Sequence, residues 1–275
     1  MKQIPFTVAM GVYINDSPQY FKAALESIFL NQTIKPNEIV IVVDGLIPQT
    51  LEATLSELNA QIPVLKFVRF AENRGHAAAR QAGLEAASNE LVAIMDADDI
   101  AEPDRFKKQL EAFAAHPEAS VVGGQIKEFI DTPDNVVGER IVPETDADIK
   151  RYLKSRCPMN LVTVMYRKAD VMAVGGFLDW YCEEDYYLWI RLAECGYQFF
   201  NVADNLVNVR VGKEMYRRRG GWRYFKSEAR LQRYMLSHKL ISLLRYIYNT
   251  AIRFAVQVAM PTRLRGFIFQ KLARK

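Results

Sequence analysis

The chain has 275 residues, half of them apolar and a quarter charged, with 14 glycines and no repeat period. This suits one large or two small globular domains and excludes collagen-like, solenoid and wholly disordered architectures. The net charge of +4 conceals an asymmetry: residues 210–275 hold 17 Lys and Arg against two acids, a net of +15, whereas residues 1–209 hold 19 bases against 30 acids, a net of −11.

An acidic body with a cationic end points to an anionic partner such as nucleic acid, a diphosphate or a lipid surface. The opening run MKQIPFTVAMGVYIND breaks its apolar stretch early and offers no small-residue cleavage site, so a cytoplasmic chain is expected. Cys157, Cys182 and Cys195 are odd in number and form no CxxC pair. They argue against a disulfide framework or structural zinc and read as small buried hydrophobes.

In chain order, FTVAMGVYI is the first strand. A helix follows with Ser17 as N-cap, Pro18 at its first position, and Phe21, Leu25, Ile28 and Phe29 along its inner face. The segments EIVIVVDG, VLKFVRF, ELVAIMDADD and SVVGGQIKEFI are further strands separated by helices. Such continuous apolar strands predict a largely parallel sheet covered on both faces, with ligands at the carboxyl ends of its strands. After Pro143 the elements shorten: a helix over 145–154, a strand over 162–167, a helix over 184–195 and a strand over 197–202. Residues 222–260 read as mostly helical, with a basic tail beyond Pro261.

The strongest chemical signal is Asp96-Ala97-Asp98-Asp99, three carboxylates in four residues directly after an apolar strand. Crowded carboxylates raise one another's pKa unless a cation compensates, and hard oxygen ligands suit Mg²⁺ or Mn²⁺ shared with a substrate diphosphate. One of these acids could instead cap the helix that begins near Glu102-Pro103. Asp44-Gly45 ends the second strand, where α/β folds hold a nucleoside. Asn73-Arg74-Gly75, before the small-residue helix that carries Arg80, presents donors suited to an anion. Neither GxGxxG nor GxxxxGK[ST] is present, which weakens dinucleotide and P-loop readings. The segment EEDYYLWIRL, with Glu184 and Asp185, reads on its own as the acidic first turn of an amphipathic helix. Arg217, Arg218 and Arg219 form a basic loop suited to a diphosphate or to plain solvent.

Within Leu240–Met260, Arg245, Asn249, Arg253 and Gln257 recur every four residues on one side of an otherwise apolar helix. Two central arginines would cost roughly 2.5 to 3.5 kcal/mol each in a spanning helix. A helix lying in a membrane interface, with its polar stripe in water, is the expected arrangement, and packing on its own domain is the alternative. The flanking acid-free charge of Arg263, Arg265, Lys271, Arg274 and Lys275 favours an anionic membrane surface.

The succession VAMGVYIND, TIKPNEIVIVVDG, ENRGHAAARQAGLEAA, MDADDIAEPDRFKKQ and EEDYYLWIRL resembles the family 2 glycosyltransferases over residues 5–215. The segment NLVTVMYRKADVMAVGGF, with NVRVG and YRRRGG, looks like the bacterial branch that builds O-antigen and exopolysaccharide repeat units. The resemblance implies a GT-A fold, an α/β domain with a mixed central sheet, followed by C-terminal amphipathic helices. Residues 1–221 would form the transferase domain, nucleotide-binding over residues 1–130 and acceptor-side over residues 131–221, and residues 222–275 a basic helical extension. It further implies that Asp44, Asn73, Arg80, Asp96, Asp99, Arg217 and Arg218 bind the nucleotide-sugar, and that Asp98 with Asp96 holds Mn²⁺ or Mg²⁺. Asp185, beside Glu184, would be the general base of an inverting transfer. The donor would be a UDP-sugar, the acceptor a saccharide linked to undecaprenyl diphosphate, and the enzyme peripheral on the inner face of the cytoplasmic membrane. Tyr187 and Leu161 depart from the Asp and His that many relatives carry, which bears on the acceptor site.

Three other readings compete, one of them a catalytically dead scaffold, against which Asp96, Asp98 and Asp185 speak. A sugar-phosphate nucleotidyltransferase would share the α/β fold but needs a Gly-rich, Arg-containing signature after its first strand, and MGVYINDSP has none. A nucleic-acid-binding protein could use the basic end, yet the acidic body contains no recognised binding module, so no nucleic-acid partner is expected.

Overall fold

The computed structural model describes residues 4–212 and 220–260. The chain opens with β1 (Phe6–Val12), α1 (Pro18–Phe29), β2 (Glu38–Val43), α2 (Gln49–Gln61), β3 (Leu65–Arg69), α3 (His76–Ala86) and β4 (Leu91–Met95). The short β5 (Ile100–Ala101), α4 (Arg105–Ala115), β6 (Ala119–Phe129), β7 (Val136–Arg140) and α5 (Asp146–Leu153) follow. A 3₁₀ turn (Leu161–Thr163) leads to β8 (Met165–Arg167), α6 (Lys168–Ala173), α7 (Glu184–Glu194) and β9 (Gln198–Arg210). The last described elements are α8 (Trp222–Ser237), α9 (Leu243–Phe254) and a π-helical turn (Ala255–Ala259).

The strands form one mixed sheet in the order β3-β2-β1-β4-β8-β6-β9-β5, with β7 on the far end of β6. β3, β2, β1 and β4 run parallel, while β8 is antiparallel to both β4 and β6. Chain order reverses at β1, whose neighbours are β2 on one side and β4 on the other, so a crevice opens at their carboxyl ends. β2 and β4 are buried almost throughout, because helices cover both faces; this is why they read as unbroken apolar runs. α1 begins as the sequence requires, with the Ser17 side chain accepting from Tyr20 N and with Phe21, Leu25, Ile28 and Phe29 buried.

Several boundaries differ from the sequence reading. The expected strand 162–167 is shorter: its first two residues belong to the 3₁₀ turn, and only Met165–Arg167 pairs. The strand expected to stop near residue 202 continues to Arg210, because β6 offers it a parallel partner along its whole length. Cys182 and Cys195 are exposed rather than buried, Cys182 in a turn at φ 57° and Cys195 at the end of α7.

The C-terminal helix is oriented opposite to expectation. Its polar stripe points into the protein: Asn249 and Gln257 are buried, and the Arg253 side chain is 11% exposed. Only Arg245 of the stripe faces water. The apolar side is outward, with Leu244 80%, Tyr248 59% and Ile247 53% exposed. The reason lies in the surface beneath α9, which offers the carbonyls of Lys154 and Ser155 together with Gln232 and Glu228. Leaving such groups buried without partners would cost about 1 to 3 kcal/mol each, so the polar face of the helix turns toward them. Among the described residues no helix is long and apolar enough to cross a membrane.

Candidate active site

The carboxyl ends of β1, β2 and β4 open into a cavity of about 810 Å³, lined among others by Asp44, Asn73, Arg80, Asp96, Asp98, Asp99, Glu184 and Asp185. Every candidate residue that falls among the described residues therefore meets at one place. Arg217 and Arg218 lie outside the described residues.

Asp44 follows β2 and is buried. Its carboxylate accepts from Arg74 N at 2.6 Å, Gly75 N at 2.9 Å and Asn73 Nδ2 at 2.9 Å. The donors that the sequence aims at an anion thus converge on this carboxylate, which fixes the loop before α3 against the end of β2. Gly45, at φ 88°, lets the loop come this close, since a Cβ there would meet Asn73 N at 2.7 Å.

Arg80, on α3, bridges the two acidic motifs. Its guanidinium lies 3.5 Å from Asp96 Oδ1 and is hydrogen-bonded to Glu184. Burial opposes its charge, but Asp96, Glu184 and Asp185 outweigh that and hold it above its ordinary value. Burial pushes Glu184 up, with Asp185 adding to the effect and Arg80 opposing it. The ion pair ties the first turn of α7 to the end of β4, bringing distant stretches of the chain to one wall.

The three aspartates after β4 have different surroundings. The N-cap position of α4 is Asp104, so none of them caps that helix. Asp98 is exposed on the cavity wall and Asp96 is half-buried. Asp99 is buried, and its Oδ1 accepts from Arg210 N at 2.8 Å, which joins the loop to the end of β9. Burial, then the Asp98 and Asp96 charges, push Asp99 well above the carboxylate range. Asp16, after β1, is driven up to about 7 by burial first and by Asp98 and Asp96 in addition. This marks a wall of concentrated negative charge. Among the described residues no group of three His, Cys, Asp or Glu side chains is arranged to enclose a metal. The accessible oxygens of Asp98 and Asp96 instead fit a Mg²⁺ or Mn²⁺ that completes its shell on a substrate diphosphate.

Asp185 sits in the first turn of α7, where the helix dipole favours negative charge. It lines the cavity and is half-buried. Cys157 Sγ lies 3.7 Å from Asp185 Oδ2, and burial, then the Asp185 charge, push that thiol well up, so it stays an S–H donor. Tyr187 packs between Trp180 and Tyr234 at ring-centroid distances of 4.4 and 5.1 Å. It belongs to the aromatic core under α7, as do buried Trp180, Tyr186 and Trp189.

The sequence reading missed four features of this site: Asp16, Cys157, Arg210 and Tyr224. Asp16 could have been found from its place just past a strand end. Arg210 was hidden by the underestimated length of β9, and Cys157 and Tyr224 reach the site only through tertiary packing.

Among the described residues, nine strands form a mixed sheet with an acidic, strand-end cavity at its topological switch point, and the architecture is that of a GT-A fold. The family model "Glycosyl transferase family 2" matches residues 7–174, and the chain belongs to that family. The chain is 32% identical over 270 residues to the UDP-Gal:alpha-D-GlcNAc-diphosphoundecaprenol beta-1,3-galactosyltransferase of Escherichia coli, covering 98% of this chain and 97% of that one. It is 33% identical over 268 residues to the amylovoran biosynthesis glycosyltransferase AmsE of Erwinia amylovora, covering 97% and 98%. Among solved structures, the mannosyltransferase PcManGT of Pyrobaculum calidifontis, in complex with GDP-Man and Mn²⁺, aligns with a TM-score of 0.62 at 18% identity, covering 98% of this chain and 79% of that one. This last likeness is one of fold.

Proposed function

We propose that the protein is an inverting transferase that moves a hexose or N-acetylhexosamine from a UDP-sugar to a saccharide linked to undecaprenyl diphosphate, in the assembly of bacterial surface polysaccharide. The observation that carries the reading is the cavity in which Asp96, Asp98 and Asp185 meet, with Arg80 linking the Asp96–Asp99 run to Glu184 beside Asp185. The near full-length likeness to a galactosyltransferase named for a diphosphoundecaprenol acceptor supports the acceptor class.

Asp185 takes the proton of the acceptor hydroxyl, whose oxygen forms the new bond to the anomeric carbon from the face opposite the leaving group. The bond from that carbon to the UDP oxygen breaks with its electron pair, so UDP departs as an anion and configuration inverts. A positioned base of this kind is worth roughly 10² to 10⁴ in rate. Asp44 and the Asn73 loop shape the nucleoside end of the cavity, and Arg80 holds Asp96 and Glu184 in register beside it. Mg²⁺ or Mn²⁺ on Asp98 and Asp96 would supply positive charge to the leaving diphosphate.

The outward apolar side of α9 adds a lipid surface to this reading. Burying each exposed Leu or Ile would gain about 1.5 to 3 kcal/mol. Trp222 and Phe254 extend the patch, their rings 6.2 Å apart. The basic tail after α9 matches anionic headgroups, so the enzyme sits on the cytoplasmic face of the membrane where its acceptor is anchored.

The test is release of UDP from a panel of UDP-sugars, with and without Mn²⁺, on a GlcNAc-diphosphoundecaprenol acceptor. Transfer that needs a divalent cation and one of these sugars is the expected result. Turnover with a nucleoside triphosphate and a sugar phosphate, in place of a UDP-sugar, would overturn the reading.

A further inference from the structure

Behind the first turn of α7 lies a buried charged network that the transfer reaction does not use. Glu183 is 5% exposed and Glu228, on α8, is 9% exposed. Arg253, on α9, places Nε 3.1 Å from Glu228 Oε2 and donates from Nη2 to Ser155 O at 2.6 Å. Gln257 donates to the same Glu228 carboxylate, and Tyr224 hydrogen-bonds to Glu183.

The segment that Arg253 grips is the one that touches the base. Asn249 Nδ2 donates to Lys154 O at 2.9 Å, so α9 holds two consecutive carbonyls, those of residues 154 and 155. On either side of them the same segment contacts α7: the Tyr186 hydroxyl donates to Leu153 O, and Cys157 Sγ meets Asp185 Oδ2. The turn before α7 is held from α8, where Ser227 Oγ donates to Tyr181 O at 2.6 Å. One guanidinium therefore links α8 and the 153–157 segment, the two supports of the turn that carries Asp185.

We propose that Arg253 is a positioning residue for Asp185: its charge balances buried Glu228 while its second arm fixes the 153–157 segment, so that the C-terminal helix sets the geometry of the base. The proposal rests on the reading of Asp185 as that base. Burial and the Glu228 and Asp185 charges push Glu183 well above the carboxylate range, so the guanidinium chiefly serves Glu228. Without Arg253 that carboxylate is buried beside other acids, and the turn relieves the strain by shifting toward water.

The experiment compares Arg253→Met, Arg253→Lys, Arg253→Met/Glu228→Gln and Asp185→Asn in the full-length chain. It measures kcat, donor KM, UDP affinity in Mn²⁺ by calorimetry, and thermal unfolding. The donor is whichever UDP-sugar the preceding screen selects. Arg253→Met should lower kcat by about 10- to 100-fold, the scale of a small misplacement of a catalytic group, with donor KM and UDP affinity unchanged. Arg253→Lys should keep most of the native rate, and the double variant should recover the part lost to the unbalanced charge while the part owed to the Ser155 contact stays lost. A folded Arg253→Met with native kcat overturns the proposal, as does a double variant that folds and stays as slow as the single one. Should Arg253→Met not fold, the charge-balanced double variant decides: a kcat below that of the native chain with donor KM unchanged supports the proposal, and a native kcat overturns it. Native turnover in Asp185→Asn would instead sink the assignment of the base, whereas an inactive Asp185→Asn beside a fully active Arg253→Met removes only the role of Arg253.

Discussion

The guanidinium of Arg80 joins acids from two motifs that are far apart in sequence, and the separate surroundings of those acids give them separate tests. Asp98 is exposed on the cavity wall, and in the proposed reading it serves the donor. Asp98→Ala should abolish transfer chiefly by removing cation-dependent donor binding, so calorimetry should find UDP affinity no longer raised by Mn²⁺; unchanged affinity in Mn²⁺ would take Asp98 out of the metal site. Asp185→Asn keeps the shape of the α7 start and removes the basicity. Turnover should fall by roughly 10² to 10⁴ with UDP binding intact, and near-native turnover would move the base to Glu184 or Glu183. Glu183 has a different signature. Its pKa is raised well above the ordinary 4.5, mainly by burial, so above that value the folded protein keeps a proton that the unfolded chain has released. The stability this contributes is present at low pH and is lost as pH climbs through the folded pKa. Glu183→Gln removes the ionisation, and melting temperatures should therefore fall less steeply as pH rises above 4.5 than those of the native chain. An identical slope would place the proton on another group.

At the scale of elements, α9 shows how a helical period can be read correctly and oriented wrongly. The four-residue spacing of Arg245, Asn249, Arg253 and Gln257 does mark one side of a helix, with Ser242 as its N-cap. Periodicity says that two sides differ, but which side is inward depends on the surface beneath. Here that surface is rich in carbonyls and acids, so three of the four polar residues are drawn inward and the apolar side remains outside. The prediction is a separation of functions by side. Leu244→Glu with Ile247→Glu, both on exposed positions, should abolish the salt-resistant part of flotation with phosphatidylglycerol vesicles while leaving the melting temperature and UDP affinity unchanged. Loss of folding in that variant would show that the apolar side is covered by protein. Deleting residues 239–275 would be a blunt probe of that side, because it also removes Arg253 and Gln257 from Glu228.

At the scale of the whole molecule, the opposed charges of residues 1–209 and 210–275 would orient it on the anionic surface proposed for it. An acidic body of net −11 would be repelled by such a bilayer, and a C-terminal region of net +15 drawn to it. Each Lys or Arg near the surface adds about 1 kcal/mol, screened beyond a Debye length of about 10 Å at 0.1 M salt. Binding to phosphatidylglycerol vesicles should therefore weaken with salt and level off at the apolar contribution of α9. Complete loss at high salt would leave that contribution without support, and salt-independent binding would remove the electrostatic one.

What the sequence determined by itself was local in origin. Apart from the short β5, strand and helix identity through β6 follow from apolar runs and helical spacing, and the acids at the ends of β2 and β4 are placed by strand termination alone. The length of β9, the aiming of the Asn73 loop at Asp44 and the bridge of Arg80 were decided by partners distant in the chain. So was the inward turn of Arg253. A hydrophobic period records only that a residue prefers one side of its own element, whereas a buried charge goes wherever the folded surface supplies its counter-charge and hydrogen bonds, and that supply exists only once the chain has closed on itself.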